Sequence, residues 1–349
     1  MPHLKIRRSI ALAMVGAALL VSHRRLDGQE GFRFKTGVEL INVTATVTDR
    51  SGRFVPELKQ TDFLIYEDDQ PVEITHFSAE RVPVSLGIVL DASGSMAGDK
   101  IVNALAAIER FLDRLLNPED EVFLYTFASD VERIQDWTTN RNAASASLRR
   151  VRAAGGTAMY DAVVEAVPMA QSGRNRKKAV VVISDGNDTN SRADVRDVRQ
   201  IVRQTEVLVY AVGIDGQGEP TFLPRQPQFP RAPTPPIPFP IPGRGRPRVP
   251  WPVPPPQYSA TTGQFGPADG VNVMALREMT DDSGGRTEIV RDSRDLDRAT
   301  TSIADELSQQ YYLGYPSLGR RDGRWHTIRV EVRDRSLRVR ARRGYLATS

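Results

Sequence analysis

Apolar and polar positions alternate with two different periods along the chain, and the changes of period divide it. Val43, Ala45 and Val47 alternate with Thr44, Thr46 and Thr48, the two-residue period of a strand with one buried face. Asp49-Arg50-Ser51-Gly52 follows as a turn. Phe63-Leu64-Ile65-Tyr66 and Val72-Glu73-Ile74 flank Glu67-Asp68-Asp69-Gln70-Pro71, which predicts a hairpin with those five residues as its turn. Residues 31–82 therefore read as a small β module.

From residue 83 short apolar runs alternate with stretches of helical period, the pattern of a mostly parallel sheet covered on both faces. Strands are expected at Ser85–Leu90, Val122–Phe127, Val131–Trp137, Ala179–Ile183, Val207–Val212 and Thr287–Val290. The unbroken run Val180-Val181-Val182-Ile183 suits a strand buried on both sides. Helices are expected near 100–116, 143–153, 158–171, 193–204, 271–280 and 294–310. In the first of these, Ile101, Leu105, Ile108, Phe111, Leu112 and Leu115 keep the spacing of one buried stripe. The predicted class for 83–310 is an α/β, doubly wound, Rossmann-like fold, with strand order 3-2-1-4-5-6.

Residues 215–270 interrupt that pattern. Between Pro220 and Pro256 they hold 16 of the chain's 24 prolines, too many missing N–H groups for a helix or a central strand, so an extended segment is expected. Its root leaves the strand next to the one that precedes Asp185, which suggests that it gates or extends a binding face there. Beyond residue 311, alternation returns at Thr327–Val332 and Leu337–Ala341, read as a C-terminal hairpin within 311–349. Neither flank alone is large enough for a good core, so 311–349 is expected to pack with 31–82 as a sandwich-like module. Arg329, Arg333, Arg335, Arg338, Arg340, Arg342 and Arg343 read as the solvated face of that hairpin, ahead of an anion or membrane site.

The start of the chain changes the reading of charge. Lys5, Arg7 and Arg8 precede an apolar run from Ile10 to Val21, the layout of an export signal or an uncleaved anchor over residues 1–30. An exported protein of the periplasm, cell envelope or exterior is expected, with membrane contact only through such an anchor. The formal charge of the whole chain is +4. Residues 1–30 contribute five Lys/Arg against two Asp/Glu, leaving the remainder near +1, and global charge gives no support for nucleic-acid binding. The absence of cysteine excludes disulfides, thiolate metal sites and a cysteine nucleophile.

The residues that carry chemistry are Asp91-Ala92-Ser93-Gly94-Ser95, Gly155-Gly156-Thr157 and Ser184-Asp185-Gly186. Each group falls where a strand or loop feeds a helix. With the expected strand order, the first and third meet at the topological switch point, where open α/β sheets bind ligands. Ser93 and Ser95 can aim two hydroxyls at one point, Thr157 adds a third from the opposite loop, and Asp91 and Asp185 bring negative charge. Such oxygen donors suit Mg²⁺ or Mn²⁺, which keep several waters.

These three groups, in this order, resemble the metal-ion-dependent adhesion site of von Willebrand factor A domains. The resemblance covers residues 83–310 apart from the proline-rich insertion, and it implies Asp91, Ser93, Ser95, Thr157 and Asp185 as the metal set. It also implies a partner protein whose Asp or Glu completes the coordination, and a shift of the last helix, 294–310, when that ligand arrives. Asp62-Phe63, Glu67-Asp68, Gln310–Tyr315 and Gly344-Tyr345 resemble, more narrowly, exported acidobacterial VWFA-related proteins. Against catalysis stands the scarcity of bases: beyond the first 30 residues only His76 and His326 remain, both outside the sheet domain. No Gly-Lys-Ser/Thr follows the glycines, so they are not a phosphate loop. Metal-assisted hydrolysis and an envelope scaffold acting through the proline-rich segment are the alternative readings.

Overall fold

A computed structural model describes residues 40–115, 117–185, 188–214, 271–317 and 322–347. The expected leader or anchor at 1–30 and the proline-rich segment 215–270 lie outside the described residues. The chain runs through β1 (Leu40–Thr48), β2 (Phe63–Glu67), β3 (Gln70–Val72) and β4 (His76–Ser78) into a first long strand, β5 (Val84–Asp91). It continues through α1 (Asp99–Leu115), β6 (Glu121–Phe127), β7 (Val131–Thr138), α2 (Arg141–Leu148), α3 (Met159–Gln171) and β8 (Lys177–Ser184). Then come α4 (Val195–Arg203), β9 (Leu208–Ile214), α5 (Val273–Thr280), β10 (Thr287–Val290) and α6 (Leu296–Gln309). The last strands are β11 (Tyr311–Pro316), β12 (Trp325–Val332), β13 (Arg338–Arg340) and β14 (Gly344–Leu346).

Strands β5 to β10 form one sheet in the order β10-β9-β8-β5-β6-β7, which is the 3-2-1-4-5-6 order expected. All neighbours are parallel except β7, which runs antiparallel to β6 at the edge. Every residue of β5, β6 and β9 is buried, because helices cover both faces. One layer packs Leu86, Ile88 and Leu90 against Ile108, Phe111 and Leu112 of α1 and Ile303 and Leu307 of α6. The other packs Val89, Phe123 and Val182 against Val163 and Val167 of α3, Val198 of α4 and Met279 of α5. Each such side chain contributes roughly 1.5–3 kcal/mol by leaving water. Gly87 permits the second layer, since a Cβ there would meet the Phe123 ring at 2.3 Å.

The flanking strands form two four-stranded sheets, β13-β1-β11-β4 and β14-β12-β2-β3. Val43, Val47, Phe63, Ile65, Tyr311, Leu313, Tyr315, Ile328 and Tyr345 share one core between them. Each sheet draws strands from both ends of the sequence: β1 pairs with β11, and β2 pairs with β12. Three expectations are corrected. The turn between β2 and β3 has two residues, Asp68 and Asp69, both with positive φ, and Gln70-Pro71 belongs to β3. Pro71 is tolerated there because β3 is an edge strand. Residues 327–332 and 337–341 do not form a hairpin, for β12 pairs with β14 and β2 whereas β13 crosses to β1. The helix expected over 143–153 ends at Leu148, where Arg150 and Val151 turn back onto Ser147 and Leu148.

The arginine-rich tail is also not a uniformly solvated face. Arg342 is buried, its Nε donating to the Gly344 carbonyl at 2.8 Å. Arg340 turns inward to pair with Glu306 of α6. Glu306 is the hub between sheet domain and sandwich: Tyr210 of β9 donates to it at 2.8 Å, Thr46 of β1 at 3.1 Å, and Arg286 pairs with it at 2.9 Å. Gln310 Nε2 closes the group on Tyr210 and Thr46 at 2.9 and 3.0 Å.

Close by, Lys177 opens β8 with 1% of its surface exposed, and its Nζ donates to the Leu307 carbonyl in the last turn of α6 at 2.8 Å. Burial, aided by Arg81 and opposed by Asp120 and Glu306, pulls its pKa down to about 7. Between pH 7 and the ordinary lysine value of 10.5 the unfolded chain holds this proton and the native chain does not. Stability therefore climbs with pH across that window by ~1.4 kcal/mol per unit from this group, and the slope vanishes below it. Lys177→Met is expected to flatten the rise in unfolding free energy between pH 7.5 and 9.5 in denaturant titrations; an unchanged slope would contradict the assignment.

Candidate metal centre

The site is built where β5 and β8 end side by side. Asp91, the last residue of β5, has no exposed surface, and an isolated buried carboxylate is costly unless donors surround it. Its Oδ1 accepts the Ser93 N–H at 2.8 Å, bending the chain into the following loop, and its Oδ2 accepts the Ser184 hydroxyl at 2.6 Å. A 3-10 turn, Gly94–Met96, then inserts Met96 fully into the core. Gly98, with φ of 80°, reverses the backbone into α1. The turn leaves the Ser93 and Ser95 hydroxyls 3.0 Å apart. Ser95 in turn donates to Asp185 Oδ1 at 2.7 Å, and the Lys100 ammonium, from the first turn of α1, pairs with Asp185 Oδ2.

The glycine loop is docked on this one by its backbone. Ala154 N–H donates to the Ala92 carbonyl at 2.8 Å, and Gly94 N–H donates to that of Gly155 at 2.9 Å. Gly155 has φ of 85°, a conformation that glycine adopts without penalty. Thr157 is buried on the rim. Its N–H donates to the Thr189 hydroxyl at 3.0 Å and its carbonyl accepts from the backbone of Thr189 and Asn190. Asp188 accepts the Tyr160 N–H, and Asp161 those of Arg192 and Ala193. The third loop is thereby clipped to the start of α3.

Asp91, Ser93, Ser95 and Asp185 are thus linked directly. Thr157 is held beside them through its loop, and among the described residues its hydroxyl makes no hydrogen bond to the other four. Two participants escaped the sequence reading: Ser184, which satisfies Asp91, and Lys100, which satisfies Asp185. Ser184 lay within a quoted motif, but its role depends on β5 and β8 being neighbours. Lys100 stands one turn past the serine loop, where a basic residue at a helix start runs against the helix dipole. That mismatch is the signal which marks it.

Burial raises the Asp91 pKa; hydrogen bonds from Ser184 and Ser93 oppose the rise, and the charge of Asp185 adds to it. Of two buried carboxylates only Asp185 is paired with a lysine, so the site has room electrostatically for further positive charge. Among the described residues no three His, Asp or Glu side chains cluster as a metal cage, and the converging donors are mostly hydroxyls. Two oxygens on adjacent corners of an Mg²⁺ octahedron, with arms of about 2.1 Å, lie about 3.0 Å apart, the separation of the two serine hydroxyls. The residues present fit a hard divalent cation. A cleft of about 440 Å³ opens next to Ala92, floored by Phe127 and Val151 and rimmed by Asp130, Arg150 and Arg152.

This sheet order is that of a von Willebrand factor type A domain, and the family model described by that name matches residues 86–187. The chain carries such a domain. It is 27% identical over 219 residues to inter-alpha-trypsin inhibitor heavy chain H4 of Bos taurus, an alignment covering 51% of this chain and 24% of that protein. The chain thus spans about a quarter of that relative's length. Among solved structures it is similar to a von Willebrand factor type A protein from Catenulispora acidiphila, with 12% identity and a TM-score of 0.46, covering 90% of this chain and 75% of the other. BatB from Bacteroides thetaiotaomicron matches with 21% identity and a TM-score of 0.43, covering 64% of this chain and 97% of its own. Among the described residues no helix is long and apolar enough to cross a membrane.

The Ser184–Asp91 bond gives a direct prediction. Ser184→Ala leaves a buried carboxylate oxygen without its donor, which costs about 1–3 kcal/mol. Chemical denaturation in the presence of a chelator is expected to show that loss, and a variant as stable as the parent would mean that Asp91 is satisfied otherwise.

Proposed function

We propose that this protein is a metal-dependent binding module that captures a partner protein through a carboxylate. The observation that carries this reading is the convergence of the Ser93 and Ser95 hydroxyls and the Asp185 carboxylate above buried Asp91. Mg²⁺ or Mn²⁺ would be held there by Ser93, Ser95 and Thr157, with Asp91 and Asp185 contributing charge directly or through water. Bound so, the cation would supply Lewis acidity toward an incoming oxygen. Few direct carboxylates means that it stays electrophilic, and an Asp or Glu side chain of the partner is the matching donor. The cleft beside Ala92 gives the partner's neighbouring residues a place to sit.

A binding role is favoured over catalysis by the placement of the candidate bases. His76 belongs to β4 and His326 to β12, both in the sandwich. His326 is engaged at both nitrogens, by Asp68 at 2.7 Å and Asp322 at 3.0 Å. Burial pushes its pKa down, but the two carboxylates outweigh that and raise it. The basic and then apolar start of the sequence supports an exported location, and the flanking motifs support kinship with the exported acidobacterial VWFA-related proteins.

The test is calorimetric titration of Mg²⁺ and of Mn²⁺ into the whole chain beside Asp91→Ala and Ser93→Ala. Saturable binding by the parent, lost in the first variant and weakened at least tenfold in the second, is expected. Absence of binding both in a folded parent and in a folded Lys100→Met variant, which lacks the ammonium paired with Asp185, would remove the metal and with it carboxylate capture.

A further inference from the structure

Asp185 has no free oxygen. Its side chain is 1% exposed, Oδ1 accepts from Ser95 and Oδ2 is paired with the Lys100 ammonium, whose side chain is 29% exposed. An ion pair so far withdrawn from water is weakly screened. Lys100 belongs to the same loop-to-helix segment as the two serines, and among the described residues its ammonium forms no other ion pair. A divalent cation seated on Ser93 and Ser95 would therefore arrive at a carboxylate already neutralised by a monovalent cation that the chain itself carries.

We propose that Lys100 is a built-in competitor for the metal: it neutralises Asp185 when the site holds no ion and is displaced when an ion binds. The proposal rests on the reading of the site as a metal centre and goes beyond it in assigning what sets the affinity. Both cations need the Asp185 charge, and like charges a few ångströms apart repel strongly in a partly buried site. Lys100 would thus hold metal affinity below what the oxygen donors alone provide, making occupancy responsive to the surrounding metal concentration. Its tether is the first turn of α1, so metal entry would also release an ammonium onto the rim of the site. Substituting the lysine should act in opposite directions on two observables. Metal affinity should rise, and stability without metal should fall, because Asp185 then lacks its counter-ion. A lysine that merely supports the fold would move the second and not the first.

The experiment is titration of Mg²⁺ into the whole chain, Lys100→Met, Lys100→Arg and Lys100→Met combined with Asp91→Ala, with thermal melts of each in chelator. Lys100→Met is expected to bind at least tenfold tighter than the parent and to melt lower without metal, while Lys100→Arg, which keeps the charge, stays within threefold of the parent. Binding by Lys100→Met where the parent shows none, abolished by Asp91→Ala, would support the proposal equally. A parent that binds Mg²⁺ with Lys100→Met equal or weaker overturns the role of the lysine and leaves the metal centre standing. If neither protein binds, both fall.

Discussion

A carboxylate without exposed surface sits at the end of the central strand, and it is tenable only because the fold brings it a donor from the next strand. Ser184 supplies that donor to Asp91 at 2.6 Å, and it can do so only if β5 and β8 are parallel neighbours in register, Leu90 beside Ile183. Their adjacency aligns the loops that follow both strands, placing Ser93 and Ser95 against Asp185. Ala154 and Gly155 then attach the glycine loop through main-chain bonds that depend on no side chain of their own. The arrangement is therefore a consequence of strand order, and its most buried member, Asp91, has a donor on each oxygen.

A buried acidic group is one of the ties between the sandwich and the sheet domain, beside the pairing of Glu206 with Asn42 and Arg342. Glu306 near the end of α6 gathers Tyr210, Thr46, Arg286 and Arg340, so the last helix of the sheet domain is bound to strands from both ends of the sequence. Removing one partner from such a group costs far more than the pair contributes net. Lys177 grips the same helix from β8 through the Leu307 carbonyl. Any displacement of α6 must break polar contacts at both places, and this links the helix mechanically to the β module.

The sheet was legible because β5, β6, β8 and β9 are apolar on both faces and their lengths leave no alternative to buried parallel strands. The three site motifs were legible because each lies where a strand or a loop feeds a helix. What escaped the sequence shares one cause: it depends on which elements meet. Alternation at 327–332 and 337–341 identifies strands but not their partners, and the two pair into different sheets. An arginine on an alternating strand looks solvated, yet Arg340 meets a buried glutamate and Arg342 is enclosed. Ser184 and Lys100 acquire their roles only through neighbours nearly a hundred residues away in sequence. The positive-φ pair Asp68-Asp69 tightened a turn that composition alone spread over five residues.

The hydroxyls above Asp91 are proposed to form a cation site. Crystals grown with Mn²⁺ and measured for anomalous scattering locate the ion without reference to any partner. The account predicts one strong peak about 2.0–2.3 Å from Ser93 Oγ and Ser95 Oγ, with Lys100 Nζ moved off Asp185. A folded crystal structure with no anomalous peak at these serines, or with manganese bound only elsewhere, would contradict it.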